Sequence, residues 1–466
     1  MLNILLVSPS QKASYGKITP PAQIHMGLAY LASVASSEDV DIIDVDSERI
    51  DQDKFTEIIS KKSYNIAGFT VTTPTLSSSL ALAKEVKRQS PNTLIVFGGI
   101  HPTIRPRETI ANACVDVVVI GEGELTFKEI IENLKNGRDL SDIKGLIYKN
   151  GEKIEETPPR PLIEDLDSIP FPARRLFKNN EYTYPDALYK NTAPIITSRG
   201  CPGFCTYCNA NQIFKRNFRA RSARNVADEI ECLIKNMNMK EIHIWDDNFT
   251  MKRDRVFEIR DEILKRGIRV KFAFPNGIRA DFLDREILGA LKSMGTYSLA
   301  LGVESGSQEV LNKARKGIRL EKVEEIFALA KEMGLETWAF FMIGLPGEDA
   351  STIKKTIEFA KRMDPDVAKF HILKPYPGTE VYDYLKSKKF ILTEDYDQFG
   401  IHTPPIHKLE TLSSSDMLEW QKKAYTSFYF RPGKILKQLL RIKTFNRLIL
   451  NLQAGISLMK MILSGK

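Results

Sequence analysis

What most constrains this chain is an alternation between two kinds of segment. Over the first 140 residues the short apolar runs "NILLVSP", "VDIIDVD", "NIAGFTVTT", "TLIVFGGI" and "VDVVVIGEG" are separated by "MGLAYLASVASS", "SSLALAKEVKRQ" and "LTFKEIIENLKNG". Short runs rich in β-branched residues suit strands buried on both faces, and the intervening segments carry the helical period. Units of this kind predict an α/β domain over 1–140, a doubly wound, Rossmann-like parallel sheet. Its ligand crevice should lie beyond the carboxyl ends of the strands. Thr72, Thr73, Gly98, Gly99, His101 and Glu122 fall at those ends.

The segment 141–191 is read as a hairpin, "GLIYKNGEKIEE" with an Asn-Gly turn, followed by a Pro-rich linker, "TPPRPLIEDLDSIPFPARRLF". From residue 192 a second alternating series begins: "APIITSRG", "EIHIWDDNF", "VKFAFPNGI", "YSLALGVES", "TWAFFMIGLP" and "VAKFHILKPYP", with helical segments between them. Six β/α units over 192–380 predict a partial TIM barrel, (β/α)6, whose working face is its carboxyl-end loops. Residues 381–466 form a helical C-terminal region.

Hydrophobic content of 42% and charged content of 27% exclude disordered and collagen-like classes. The start "MLNILLVSPS" has neither a basic n-region nor a long apolar h-region, so a cytoplasmic protein is expected. The net charge of +8 is confined to the end of the chain. Residues 431–466 hold eight Lys/Arg and no acid, leaving the first 430 balanced at 59 against 59. Apolar residues recur there at helical spacing with basic residues on the other face. Two readings stand: peripheral contact of 431–466 with the inner face of the membrane, or a helix packed on the barrel with a solvated basic face. Without interleaved aromatics, nucleic acid is not the expected partner.

Five cysteines do not make a disulfide framework. Three of them, Cys201, Cys205 and Cys208, lie in "SRGCPGFCTYCNA", just after the first barrel strand. Structural zinc requires a fourth ligand; the nearest downstream histidine, His243, is 35 residues beyond Cys208. Three thiolates on a 4Fe-4S cluster would instead leave one iron open. A zinc-binding or redox thiol site is the alternative. Cys114 and Cys232 read as buried small hydrophobes, and His243 and His371 as strand residues lining the barrel.

The Cys-x3-Cys-x2-Cys spacing resembles the radical S-adenosylmethionine (SAM) superfamily, and the strand-end motifs extend the resemblance across the barrel. It implies that SAM binds the open iron and is cleaved to a 5′-deoxyadenosyl radical by an electron from a donor such as flavodoxin or ferredoxin. It also implies a SAM-binding set. Tyr207 would lie beside the adenine, Asp246, Asp247 and Asn248 of "WDDNF" would face the amino group, and Asn276, Arg279, Glu304 and Ser305 would meet the ribose and carboxylate. Gly344 of "FMIGLPGE" would lie at the adenine.

An α/β domain before such a barrel, with "FGGIHPT", resembles the cobalamin-dependent radical SAM family. That resemblance spans roughly 1–380 and implies cobalamin against Thr72, Thr73, Gly98, Gly99, His101 and Glu122. The Asp-x-His-x-x-Gly loop of many cobalamin domains is missing. His25 is followed by Met-Gly without the preceding Asp, so no histidine from that motif would be the lower ligand. The implied function is methyl transfer to an unactivated carbon of a small molecule, lipid-like or a tetrapyrrole. The alternative is an oxidative cyclase similar to the anaerobic magnesium-protoporphyrin ester cyclase. Enzymes that methylthiolate tRNA carry three more cysteines in the N-terminal domain, where this chain has only Cys114.

Overall fold

The computed structural model describes residues 1–15, 23–177, 182, 184 and 186–440. The N-terminal strands are β1 (Asn3–Ser8), β2 (Asp39–Asp44), β3 (Ile66–Thr70), β4 (Leu94–Gly98) and β5 (Val117–Val119), parallel in the order β2-β1-β3-β4-β5. Val, Ile, Leu and Phe of these strands are almost wholly buried on both faces. Ile4, Leu6, Ile42 and Val117 pack into one layer; Leu5, Val7, Phe69 and Phe97 pack into the other. That two-sided burial is what the uninterrupted apolar runs required.

The hairpin belongs to this sheet rather than to a linker. Its strands β6 (Leu146–Asn150) and β7 (Lys153–Glu156) continue the sheet antiparallel from β5, and Gly151 takes φ +60° in the turn. The two turn residues are Gly151 and Glu152, with Asn150 paired to Lys153, one position on from the expected Asn-Gly turn; a tight turn fixes the hairpin but not its partner, so the sequence pattern left this docking open. The Pro-rich stretch after it is pinned rather than free. Arg174 donates to Glu229 at 2.6 Å and to the Pro194 carbonyl at 2.6 Å, and Ala173 N–H reaches the Ala29 carbonyl at 2.9 Å.

The second sheet follows: β8 (Thr192–Ile195), then a two-stranded ribbon of β9 (Ser198–Arg199) and β10 (Arg219–Ala220), then β11 (Glu241–Ile244), β12 (Lys271–Ile278), β13 (Thr296–Glu304), β14 (Glu336–Ile343) and β15 (Val367–Ile372). Six strands are parallel in the order β8-β11-β12-β13-β14-β15, an open barrel with helices outside. Ile242, Phe272, Leu299, Phe341 and Phe370 pack outward into one large core.

The C-terminal region runs back over the N-terminal domain. Gly400 lies so close to Ser14 that a Cβ would come within 2.3 Å of its Cα, and His402 N–H donates to the Ser14 carbonyl at 3.1 Å. Tyr396 sets its ring 5.0 Å from that of His101. Of the basic tail, Arg431, Lys434 and Lys437 converge on Asp364 at the end of the helix Ala350–Met363. The first turn of the tail is therefore docked on the barrel, while residues 441–466 lie outside the described residues. No helix among the described residues is long and apolar enough to cross a membrane.

Candidate active site

The cysteine loop is tied at its base. β9 and β10 pair antiparallel, Arg199 opposite Arg219, so the chain from Gly200 to Phe218 leaves and returns at one point. Gly200 has φ +86°, and a Cβ there would meet the Asn217 carbonyl at 2.0 Å. Only glycine fits that crossing. The other side of the base is held by "WDDNF". Asp246 accepts from Thr197 N–H at 2.6 Å, Thr197 Oγ1 at 2.5 Å and Ser198 Oγ at 2.5 Å, and Asp247 accepts from Gly200 N–H at 2.8 Å.

Within the loop two of the thiols, those of Cys201 and Cys205, lie around Gly203. A Cβ there would lie 3.4 Å from Cys201 Sγ, 3.9 Å from Cys205 Sγ and 3.3 Å from an Arg279 guanidinium nitrogen. Burial raises the Cys201 thiol above its ordinary value and pushes Cys208 up to about 11. Such thiols become thiolates only when a cation arrives to stabilise them, as a cluster's iron does. Among the described residues no three His, Cys, Asp or Glu side chains converge as ligands of a single metal ion. A cluster brings bridging sulfide of its own, so its thiolates need not converge in that way.

On either side of Cys208, and in the "WDDNF" turn, are polar atoms that the protein itself leaves unsatisfied. The Tyr207 hydroxyl, Asn209 Oδ1 and Asn248 Oδ1 are buried without a hydrogen-bond partner. Buried orphans of this kind are uncommon in native proteins and suit a polar ligand such as SAM. Glu304 ends β13 in a register irregularity with φ +69° and accepts from Lys316 Nζ at 2.7 Å; both side chains are nearly buried. A non-glycine residue held in the left-handed region costs about 1–3 kcal/mol and marks a geometry imposed for a purpose. Burial opposes the Lys316 charge, but Glu304 and Cys205 restore it and hold the lysine above its usual value.

The structure distributes the expected SAM set unevenly. Tyr207, Asn248, Arg279 and Glu304 surround the thiols or the orphaned atoms, while Asn276 donates to the Trp245 carbonyl at 3.0 Å. Asp246 is turned to the loop base, its carboxylate already satisfied there. Ser305 faces away from the lumen, its Oγ 3.2 Å from Thr356 Oγ1 on an outer helix. Gly344 has φ +95°; its N–H donates to Glu348 at 2.7 Å and its carbonyl lies 2.9 Å from His407 Nε2.

At the N-terminal crevice Gly98 ends β4 and Gly99 follows it. Gly99 has φ +107°, and a Cβ would strike the Val71 carbonyl at 2.8 Å, so the floor is bare backbone. His101 is fully buried; Nδ1 lies 3.3 Å from Thr73 Oγ1 and Nε2 has no partner. Thr72 closes a local turn with Thr75. An orphaned imidazole nitrogen over a glycine floor fits a large ligand with amide groups, as cobalamin has. Glu122 does not face that crevice as an open group. It receives Arg199 at 2.8 Å, Arg219 at 2.7 Å and Ile163 N–H at 2.9 Å.

Those arginines had not been singled out as functional, although Arg199 stands two residues before Cys201. Arg199 also pairs with Glu124 at 2.5 Å and stacks over Tyr30 at 5.3 Å. The network clamps the ribbon under the cysteine loop to the carboxyl end of β5, so both sheets present their ligand-binding ends to one space. A cavity of about 220 Å³ lies along this seam, bounded by Thr103 and Gly121 on one side and Gln212 and Lys215 on the other. Cys114 is buried in the N-terminal core, whereas Cys232 is half-exposed on the helix Ala223–Met237 and accepts from Asn236 at 3.3 Å. His243 faces the lumen and pairs with Glu241 at 2.8 Å.

Comparison with known proteins agrees with this geometry. Residues 195–360 match the radical SAM superfamily model and residues 20–131 the B12 binding domain model. An uncharacterised methyltransferase of Pyrococcus horikoshii is 34% identical over 94% of this chain and 95% of its own. The anaerobic magnesium-protoporphyrin IX monomethyl ester cyclase of Rubrivivax gelatinosus is 28% identical over 93% of this chain and 78% of its own. Among solved structures, the cobalamin-dependent radical SAM enzyme OxsB superposes with TM-score 0.74 at 15% identity, covering 99% of this chain and 72% of that one. The methyltransferase TsrM from Kitasatospora setae superposes with TM-score 0.69 at 20% identity, covering 83% and 75%. The chain is an enzyme of the radical SAM superfamily, in the cobalamin-dependent family with a B12-binding domain ahead of the barrel, and its cofactors are a 4Fe-4S cluster, SAM and cobalamin.

Proposed function

We propose that this enzyme methylates an unactivated carbon of a small, apolar-bodied substrate. The observation that carries the reading is the clamp between Arg199, Arg219 and Glu122, which sets the cysteine loop directly against the carboxyl end of the N-terminal sheet. When bound, the cluster and SAM supply a hydrogen-abstracting radical and cobalamin supplies the methyl group, and both must reach one carbon.

The chain's own residues bind, orient and exclude water. Cys201, Cys205 and Cys208 hold the cluster, with Arg279 beside Cys201 balancing thiolate charge. Tyr207, Asn248 and the Glu304–Lys316 pair position SAM; Asp247 holds the loop through Gly200. Gly98, Gly99, Thr73 and His101 receive the corrinoid. An electron donor such as flavodoxin or ferredoxin would approach the half-buried cysteine loop, where Phe204 is exposed.

The test is the product of single-turnover reactions of the loaded enzyme. A gain of one CH2 per turnover supports methylation; loss of hydrogens or gain of oxygen would establish the cyclase chemistry instead. Peripheral membrane contact is proposed for 441–466, which hold five of the eight tail cations. Sedimentation with anionic vesicles should be lost on truncation after residue 440, and its retention would refute that contact.

A further inference from the structure

The inner face of the last two barrel strands is built to take a ligand. Burial alternates strictly along β14 and β15. Thr337, Ala339, Phe341, Ile343, Ala368, Phe370 and Ile372 are buried beneath the outer elements, while the inward residues keep solvent access. A barrel filled by its own side chains would bury both sets. The inward residues include Trp338, Phe340 and Met342 on β14 and Lys369 and His371 on β15, with Lys369 opposite Phe340 in register.

Lys369 is the unusual member. Its ammonium sits 4.7 Å from the Trp338 ring centre and 5.5 Å from that of Phe340. Among the described residues it has no hydrogen bond and no ion pair. Of the charged and titratable groups on this inner face, Glu336 starts β14 and its carboxylate accepts from Trp338 Nε1 at 2.9 Å. His371 lies two residues along the strand, and His402 from the covering segment sets its ring 6.3 Å from that of His371. Lys374, further up, is saturated by the Thr403 hydroxyl at 2.8 Å and the Thr403 carbonyl at 3.0 Å. Burial lowers the Lys369 ammonium below its ordinary value, and Asp186, not in contact, is the carboxylate whose field opposes that. A half-buried cation supported only by ring faces lacks the oxyanion that such groups ordinarily find in a folded protein.

We propose that Lys369 binds a carboxylate or phosphate on the substrate, whose apolar body lies along Phe340 and Met342. The substrate class is thereby a small anionic amphiphile, held by its charged end inside the barrel so that its apolar part points up toward the cofactors. This rests on the reading of the barrel as the radical site and adds to it the identity of the recognised group.

The experiment titrates the cluster- and cobalamin-loaded full chain with decanoate, decyl phosphate and decanol, following tryptophan fluorescence. At least one anion should bind roughly tenfold more tightly than decanol, as a charge-assisted contact implies, and the preferred anion assigns carboxylate or phosphate. Lys369→Met should abolish that preference and Lys369→Arg should keep it. Equal binding of decanol and both anions by the wild type would overturn the proposal without any variant, and so would a preference that survives in Lys369→Met. Formation of 5′-deoxyadenosine by the same wild-type preparation reports the radical step independently, so its absence would count against the functional reading and not against the anion site.

Discussion

Arg199 gives Nη1 to Glu122 at 2.8 Å and Nη2 to Glu124 at 2.5 Å, which joins the strand entering the cysteine loop to the fifth strand of the other domain. Both ends are buried. Removing one partner of a buried ion pair strands the other, at a cost of about 3–5 kcal/mol. Glu122→Gln, which deprives two arginines at once, should lower the thermal midpoint of both domains and reduce cobalamin retention. Far-UV circular dichroism with corrinoid absorbance measures the two together, and an unchanged midpoint would show that the clamp is not what unites them.

Gly200→Ala tests the crossing at the loop base. The left-handed backbone alone costs an alanine about 1–2 kcal/mol, and the Asn217 carbonyl would stand inside the new methyl's contact distance. The ribbon must open to accommodate it. Cluster incorporation on anaerobic reconstitution should fall to a small fraction of wild type, as should that of Cys201→Ser, Cys205→Ser and Cys208→Ser, measured by absorbance near 400 nm.

Lys316→Met should separate SAM binding from cluster assembly. Glu304 then lacks its one charged partner among the described residues, in a strained position. The expected result is an unchanged iron–sulfur spectrum with roughly a tenfold higher KM for SAM, the loss of one charge-assisted contact. A normal KM would remove the pair from the SAM site.

Glu348 makes a pH prediction. Burial pushes its carboxyl up to about 8, against the Gly344 and Leu345 N–H groups that favour the anion. An acid whose folded pKa is raised stays protonated in the folded state while the unfolded chain loses its proton, so stability falls as pH rises from about 4.5 to about 8 and levels off above. Glu348→Gln should therefore match wild type near pH 5 and exceed it near pH 8.5 in the midpoint of thermal unfolding. A constant difference across that range would mean that Glu348 titrates normally.

The strands and the cysteine loop were legible because their signals are local. Alternating Val and Ile runs set β1 to β5, and three cysteines in eight residues mark the loop wherever it folds. The pairing of Glu122, expected only as a crevice residue, was not legible for the opposite reason. Its partners lie 77 and 97 residues away, and nothing near "GEGE" shows that two arginines will arrive. Ser305 and Asp246 share their neighbours' motifs, yet a strand-end irregularity turns one outward and the loop base occupies the other. Nothing in "VAKFHI" marks Lys369; the strand register sets it across from Phe340.

The covering segment from Tyr396 to His402, folded onto Ser14 and His101, has a bearing on how the enzyme is made. The first domain leaves the ribosome well before the residues that roof its crevice, so for most of translation that crevice is open on the side where Tyr396 will sit. With that segment docked, Tyr396 covers the His101 side of the crevice, and a corrinoid entering from that side would have to displace it.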